Sequence, residues 1–142
     1  MTQTVLFACV HNAGRSQMAA ALFNQLADPA KARAISAGTS PRDHIHPQVA
    51  QAMNELGMSL TGMVPRLLTL EVARGASFLI TMGCGEACPV VPGIRRDDWP
   101  LEDPKGRSLE AVRAIRDEIA RRVKALISSN CWGRTEIVKE ST

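Results

Sequence analysis

The first part of the chain passes from a short apolar run to a helical pattern and back. A run of β-forming residues over Thr4–Cys9 is followed by turn-prone residues. Apolar side chains then recur at helical spacing over Ser16–Leu26, and a second β-forming run covers Arg33–Ala37. The pattern therefore predicts a strand, a loop, a helix and a second strand.

The rest of the chain predicts three more helices and two more strands. Pro47 suits the first turn of one helix, and Gly57 suits its C-terminal cap. The continuous apolar run Ser77–Met82 is typical of a buried strand, and Arg96–Trp99 suits a short last strand. The other two helices are predicted over Leu70–Gly75 and Leu109–Ser128.

The longest of these helices carries an apolar stripe along one face. The basic side chains elsewhere on it are interpreted as its solvent-exposed face; they are Arg113, Arg116, Arg121, Arg122 and Lys124. The segment that follows, residues 130–142, is expected to be a flexible tail.

Alternation of strands and helices is typical of an α/β fold. We expect a single-domain three-layer sandwich over residues 1–142, with a central, mostly parallel four-stranded sheet flanked by helices, because this length suffices for one buried core. Ligand sites of such sheets lie beyond the carboxyl ends of the strands. The loops after Cys9, Met82 and Trp99 are therefore the candidate site.

Composition narrows the possible functions. Hydrophobic residues make up 45% of the chain and charged residues 22%, which is typical of a folded globular protein. The net charge of +3 is scattered, and with 4% aromatic residues and no Tyr there is no stacking platform, so we expect no nucleic-acid binding. The apolar stretches are too short to span a bilayer and no leader pattern is recognisable, so we expect no membrane association and a cytoplasmic location.

In the reducing cytoplasm the four cysteines, Cys9, Cys84, Cys88 and Cys131, indicate reduced thiols for catalysis or metal binding.

The segment between the first strand and the first helix combines a thiol with a guanidinium. Cys9 and Arg15 stand six positions apart, across a loop whose backbone N–H groups converge at a helix N-terminus and suit a tetrahedral oxyanion. Arg15 can bind two oxygens of the anion with its planar guanidinium. The positive electrostatic potential of this guanidinium and of the helix N-terminus stabilises the Cys9 thiolate, to which Ser16 can donate a hydrogen bond. From the residues alone, the alternative is a buried strand-end cysteine beside a surface arginine. The expected oxyanion-binding residues are Val10, His11, Asn12, Ala13, Gly14, Arg15 and Ser16.

The chain resembles the low-molecular-weight protein tyrosine phosphatase family and, within it, the arsenate reductases. The resemblance extends from Val5 to about Leu126. Phosphatases of this fold share the first loop and an Asp-Pro pair, whereas the NxGRSQMA form of the loop and the cysteines before Pro89 point to the reductase branch. The matching segments are Cys9–Ala19, Ser36–Gly38, Thr81–Cys84 with Cys88–Pro89, and Asp103–Pro104.

The resemblance implies a monomeric arsenate reductase without a bound cofactor. Cys9 would attack bound arsenate to form a thiol–arsenate adduct, Arg15 would hold the oxyanion, and Asp103 would protonate the departing hydroxide. Cys84 would then attack Cys9 and release arsenite, and Cys88 would move the oxidation outward to a Cys84–Cys88 disulfide. Thioredoxin, as the external reductant, would reduce that disulfide.

Three other interpretations stay open. Cys84 and Cys88 lie closer together than the resolving cysteines of well-known thioredoxin-coupled members, and a similar branch uses mycothiol and mycoredoxin instead. A phosphatase acting on aryl phosphates would need only Cys9, Arg15 and Asp103. A redox or oxyanion sensor would use the same loop for binding alone.

The histidines add no metal motif to this picture. Zinc sites typically use paired Cys or His motifs, and His11, His44 and His46 show no such spacing, so no metal site is expected. We interpret His11 as a spacer in the anion loop, the segment of residues 10–14 between Cys9 and Arg15, rather than as a base. Cys131 is interpreted as a thiol of the tail.

Overall fold

The computed structural model describes residues 2–83 and 93–134, which form four strands and four helices. In chain order they are β1 (Gln3–Cys9), α1 (Arg15–Leu26), β2 (Ala32–Gly38), α2 (Pro47–Asn54), α3 (Leu70–Arg74), β3 (Phe78–Thr81), β4 (Arg95–Asp98) and α4 (Leu109–Ser129). Every predicted element is present, with ends shifted by at most three residues. None of the helices in these two ranges combines the length and the hydropathy needed to cross a bilayer.

The four strands form one parallel sheet in the order β2-β1-β3-β4. Its register pairs Cys9 with Gly38, and it pairs Thr81 with Ala8 on one side and with Asp98 on the other. The carboxyl ends of all four strands therefore lie along one edge, where ligand sites of parallel sheets form. The predicted α/β fold is confirmed.

The central strand β1 is buried on both faces, which explains its nearly continuous apolar sequence. Its side chains alternate between two cores. Val5, Phe7 and Cys9 belong to the larger core, which the apolar faces of α1, α2 and α4 complete. Leu6 and Ala8 belong to a smaller core on the opposite face, which includes Ala73 of α3. Helices thus cover both faces, as the three-layer prediction requires.

The interpretation of Arg116 as part of the solvent-exposed face of α4 is wrong. Its side chain is buried, and its Nη1 donates to the Ala52 carbonyl at 2.8 Å and to Glu55 Oε1 at 2.9 Å. Arg116 lies one residue after Ile115, so it reaches the edge of the apolar stripe and turns toward the end of α2. A buried guanidinium is tolerated there because carbonyl and carboxylate oxygens accept its hydrogen bonds.

The prediction that a flexible tail begins near residue 130 places the boundary too early. Trp132 is buried, and its ring packs edge-on against Phe23 and Phe78 with centroid separations of 5.8 and 5.2 Å. The Asp28 amide also donates to the Trp132 carbonyl at 2.8 Å. A large aromatic side chain favours burial strongly enough to hold the chain against the core beyond the end of α4. The rest of the predicted tail, residues 135–142, lies outside the described residues.

Candidate active site

Cys9 ends β1 and is buried at the edge of the sheet. The loop of residues 10–14 leads from it directly into α1, and the N-cap residue of that helix, Gly14, provides no side-chain cap. The N–H groups of the first turn of an uncapped helix are available to a ligand, and the helix dipole favours an anion there. The local sequence thus places a thiol beside a helix end that suits an anion.

A chain of hydrogen bonds orients the Cys9 thiol. The Arg66 backbone N–H can only donate, and it lies 2.9 Å from Asn12 Oδ1, so Asn12 presents its Nδ2 to Ser16 Oγ at 2.7 Å. Ser16 accepts that hydrogen bond and keeps its own hydrogen for Cys9 Sγ, 2.8 Å away. A hydroxyl that donates to sulfur stabilises the thiolate, which is the nucleophilic form.

The loop turns its carbonyl groups outward. The carbonyls of Cys9, Val10, His11 and Ala13 accept hydrogen bonds of 2.8–3.1 Å from the backbone N–H groups of Thr39, Ser40, Arg42 and His46. In a trans peptide the N–H points opposite to the carbonyl before it, so the N–H groups that follow these carbonyls face the other way. The N–H groups of residues 10–14 donate to no atom within residues 2–83 and 93–134. Such a row of free donors is typical of an oxyanion cradle.

Two backbone features permit this loop. Asn12 has φ of 49°, a left-handed conformation that Asn tolerates better than most residues. A Cβ atom at Gly38 would lie 2.6 Å from the Val10 carbonyl oxygen, so only glycine lets β2 approach the loop this closely.

Arg15 is buried and points toward the chain segments that follow β3 and β4. Its Nη1 donates to the Leu101 carbonyl at 3.0 Å, and its Nε has no partner among the described residues. Gly83 packs so closely against this guanidinium that a Cβ atom there would overlap Nη1. Arg15 is therefore held in place while part of its donor set remains free for an anion.

Asp103 lies at the mouth of the loop although it stands 88 positions after Arg15 in the sequence (103 − 15). Its Oδ2 is 3.9 Å from Arg15 Nη2 and 3.8 Å from His11 Nδ1, and its side chain is 40% exposed. The next residue, Pro104, packs on the loop so closely that a Cβ atom at Gly14 would lie 2.5 Å from Pro104 Cγ. The Asp-Pro pair thus delivers a solvent-accessible carboxyl group to the anion cradle.

The fold gathers two histidines around this carboxyl group. One ring nitrogen of His11, one ring nitrogen of His46 and one carboxylate oxygen of Asp103 all lie within 4.8 Å of one another. Burial lowers the pKa of both His11 and His46 below the ordinary value of 6.5, against the opposing effect of the Asp103 charge. Arg42 Nη2 donates to His11 Nε2 at 3.3 Å, which leaves the proton of a neutral His11 ring on Nδ1, facing Asp103. His11 is thus a neighbour of the carboxyl group as well as a part of the loop.

Several features of the site were not predicted from sequence. The clustering of His11 with His46 carries no local motif, because the fold joins residues 35 positions apart (46 − 11). The Leu101 carbonyl and the Arg66 amide act through the backbone, so their residue types carry no signal. The predicted resolving residues Cys84 and Cys88 lie outside the described residues, and Cys131 is exposed just after α4.

The comparisons with known proteins identify the family. A family model, low molecular weight phosphotyrosine protein phosphatase, matches residues 4–141. The chain belongs to this family. Membership confirms the family resemblance found in the sequence.

Relatives within the family include arsenate reductases. A candidate arsenate reductase of Halobacterium salinarum is 37% identical over 123 residues, which cover 82% of this chain and 85% of the relative. An arsenate reductase of Bacillus cereus is 32% identical over 127 residues, which cover 86% of this chain and 92% of the relative.

A solved structure gives a further match within the family. A thioredoxin-dependent arsenate reductase of Corynebacterium glutamicum superposes with a TM-score of 0.79 at 40% identity, over 90% of this chain. The match spans only 61% of the length of the Corynebacterium chain.

Proposed function

We propose that the protein is an arsenate reductase that uses Cys9 as its nucleophile and thioredoxin as its reductant. The observation that carries the proposal is the Cys9 thiol at the start of a loop whose N–H groups have no acceptor among the described residues, with Ser16 donating to its sulfur. Relatives named as arsenate reductases support the substrate, and one structural neighbour named as thioredoxin-dependent supports the reductant.

The first step forms a covalent adduct. The free N–H groups of the loop and the Arg15 guanidinium hold the arsenate oxygens, and the Cys9 thiolate attacks arsenic. An As–S bond forms while an As–O bond breaks, and protonated Asp103 gives its proton to the departing hydroxide, which leaves as water. Asp103 suits this role because its carboxyl group is solvent-accessible and because Pro104, the next residue, packs on Gly14 of the loop.

The second step reduces arsenic. The Cys84 thiolate attacks Cys9 Sγ, an S–S bond forms, and the electron pair of the As–S bond stays on arsenic, which leaves as arsenite. The support for Cys84 is its position in the chain directly after Gly83, which packs against Arg15. Cys88 then attacks Cys84 and releases Cys9 as a thiolate, and thioredoxin reduces the remaining Cys84–Cys88 disulfide.

The deciding experiment is to map the disulfides after a single turnover. Reduced enzyme is mixed with arsenate, quenched by acid, alkylated and digested for mass spectrometry. Wild-type enzyme should yield the Cys84–Cys88 disulfide and one equivalent of arsenite, whereas Cys88→Ser should stop at a Cys9–Cys84 disulfide. Cys131→Ser is the matched control, because this exposed thiol should leave the pattern unchanged.

Two results would contradict parts of the proposal. Wild-type rates in both Cys84→Ser and Cys88→Ser with mycothiol and mycoredoxin, without an internal disulfide, would replace the thioredoxin cascade by direct attack of an external thiol. Rapid hydrolysis of a chromogenic aryl phosphate without arsenite formation would make the enzyme a phosphatase.

A further inference from the structure

We propose that His11, His46 and Asp103 form a binding site for a borderline divalent cation such as Zn²⁺, and that occupation of this site inhibits the enzyme. The three residues come from the anion loop, from the residue before α2 and from the loop after β4. Two imidazoles and one carboxylate, with a fourth position left for solvent, match the donors that Zn²⁺ takes in open protein sites.

The spacing of the donor atoms fits this use. Zn²⁺–ligand bonds of about 2.0–2.2 Å in a tetrahedron put neighbouring donors about 3.3–3.6 Å apart. His11 Nδ1 and Asp103 Oδ2 are 3.8 Å apart, and no pair in the cluster exceeds 4.8 Å. A small movement of the exposed Asp103 carboxylate would close the remaining distance. His11 Nδ1 is buried and has no hydrogen-bond partner among the described residues, so a metal that displaces its proton would give it one.

The cluster is also accessible. A surface cavity of about 330 Å³ is lined in part by His46, Arg42 and Lys105. A hydrated ion can therefore reach His46 from solvent without passing the buried Cys9.

The charges around the cluster set its affinity. Arg42 donates to His11 Nε2 and so keeps a proton on Nδ1, the atom a metal would take. Together with Arg15, whose guanidinium lies 3.9 Å from Asp103, Arg42 also repels a cation. Removal of the Arg42 charge should therefore tighten metal binding at this cluster.

Inhibition follows from the chemistry of Asp103. A carboxylate oxygen that binds a metal ion cannot deliver a proton to departing hydroxide. This consequence rests on the proposed role of Asp103 in arsenate reduction, whereas metal binding itself does not depend on that role.

The test uses Co²⁺ as a spectroscopic probe of the reduced full-length protein, kept reduced without added thiol. Wild-type protein should bind one Co²⁺ with visible d–d bands of a tetrahedral site and without the near-ultraviolet band of thiolate-to-cobalt charge transfer. His46→Asn should weaken Co²⁺ binding by about 10- to 100-fold or more. Loss of an outer-sphere partner already costs about that much, and His46 is proposed as a direct ligand. His44→Asn is the matched control, because His44 is exposed and outside the cluster. Arg42→Gln should bind Co²⁺ more tightly than wild type.

Asp103→Asn provides a second test should His46→Asn fail to fold, and it too should bind Co²⁺ more weakly than wild type. The proposal is overturned if cobalt binding carries the thiolate band and is equal in wild type, His46→Asn and Asp103→Asn, because the ion would then sit on cysteines. It is equally overturned if wild-type protein shows no saturable binding. A failure of arsenate reduction with cobalt binding intact would instead count against the proposed function alone.

Discussion

Asn12 sets the direction of the hydrogen bond between Ser16 and Cys9. The Asn12 amide oxygen accepts from the Arg66 and Gln17 N–H groups, so its nitrogen must face Ser16, and the Ser16 hydrogen is left for sulfur. Only one arrangement of donors and acceptors satisfies this buried network. The Cys9 thiol is thus oriented by small polar side chains that the backbone of a distant segment holds in place.

A second single-residue effect is expected at Asp103. Asp103→Asn should slow formation of the Cys9 adduct by about 10²-fold or more, because an amide keeps the shape of the side chain but has no acidic proton. Rapid-quench measurement of a single turnover gives this rate, and binding of arsenate should be retained. Glu102→Gln, a neighbouring exposed carboxylate paired with Arg107, is the control and should react at the wild-type rate. An unchanged rate in Asp103→Asn would reduce Asp103 to a turn residue.

Gly83→Ala should disable the anion cradle. Gly83 has φ of +94° and its Cβ would overlap Arg15 Nη1, so the substitution displaces the guanidinium. Gly93→Ala is a matched control, because Gly93 also has a positive φ, of 83°, but a Cβ there meets no atom of the described residues within 4 Å. Arsenate affinity by calorimetry should therefore fall in Gly83→Ala and stay near wild type in Gly93→Ala. Equal affinities in both variants would exclude steric control of Arg15 by Gly83.

Among the elements, α2 and α4 are joined by a cluster of charges around Glu55. Hydrogen bonds from Arg113, and less so from Arg116, lower the pKa of Glu55 below its ordinary 4.5. A carboxyl group whose pKa is lowered by folding adds stability above the unfolded value and loses it as the pH falls through the folded value. The link between the two helices should therefore weaken only below about pH 4.5.

Arg116→Ala should lower the free energy of unfolding by about 1–3 kcal/mol, because the buried Ala52 carbonyl loses its Arg116 donor. Urea denaturation near pH 7 measures this change. Arg121→Ala, on the same helix with a side chain 72% exposed, is the control and should stay within about 0.5 kcal/mol of wild type. Equal effects of the two substitutions would mean that the Ala52 contact adds nothing specific.

Across the whole molecule, the site is assembled where parallel strand ends meet. The sheet register brings Cys9 beside Gly38, and the segments after β3 and β4 reach the same edge to contact Arg15. The geometry of the site around Cys9 and Arg15 therefore depends on a core that holds four separate chain segments together. Trp132 takes part in that core by packing against Phe23 of α1 and Phe78 of β3.

Trp132→Ala should destabilise the protein by about 3–5 kcal/mol, as expected when a large buried aromatic side chain is removed. Thermal and urea unfolding would report the loss. Arg134→Ala, two residues further on and exposed, should have little effect. A Trp132→Ala protein as stable as wild type would show that the core closes without residues beyond α4.

The sequence by itself determined the order of the elements and the position of the loop between β1 and α1. Apolar runs and helical spacing are local properties, and Cys9, Arg15 and Ser16 lie on one short segment between a strand and a helix, so both could be predicted without a structure. The family resemblance likewise rested on contiguous motifs. Local patterns failed where a contact partner lay far along the chain, as with Trp132 at the predicted start of the tail.

Only the tertiary structure decided what surrounds that loop. The Leu101 carbonyl at Arg15, the Arg66 amide at Asn12 and the meeting of His11 with His46 and Asp103 all join residues distant in sequence. Backbone groups carry no residue signature, and the position of a side chain near a distant partner depends on sheet register and helix packing. For the same reason Arg116 could not be told from the exposed arginines of α4, since its partners lie on α2 and at its C-terminal end.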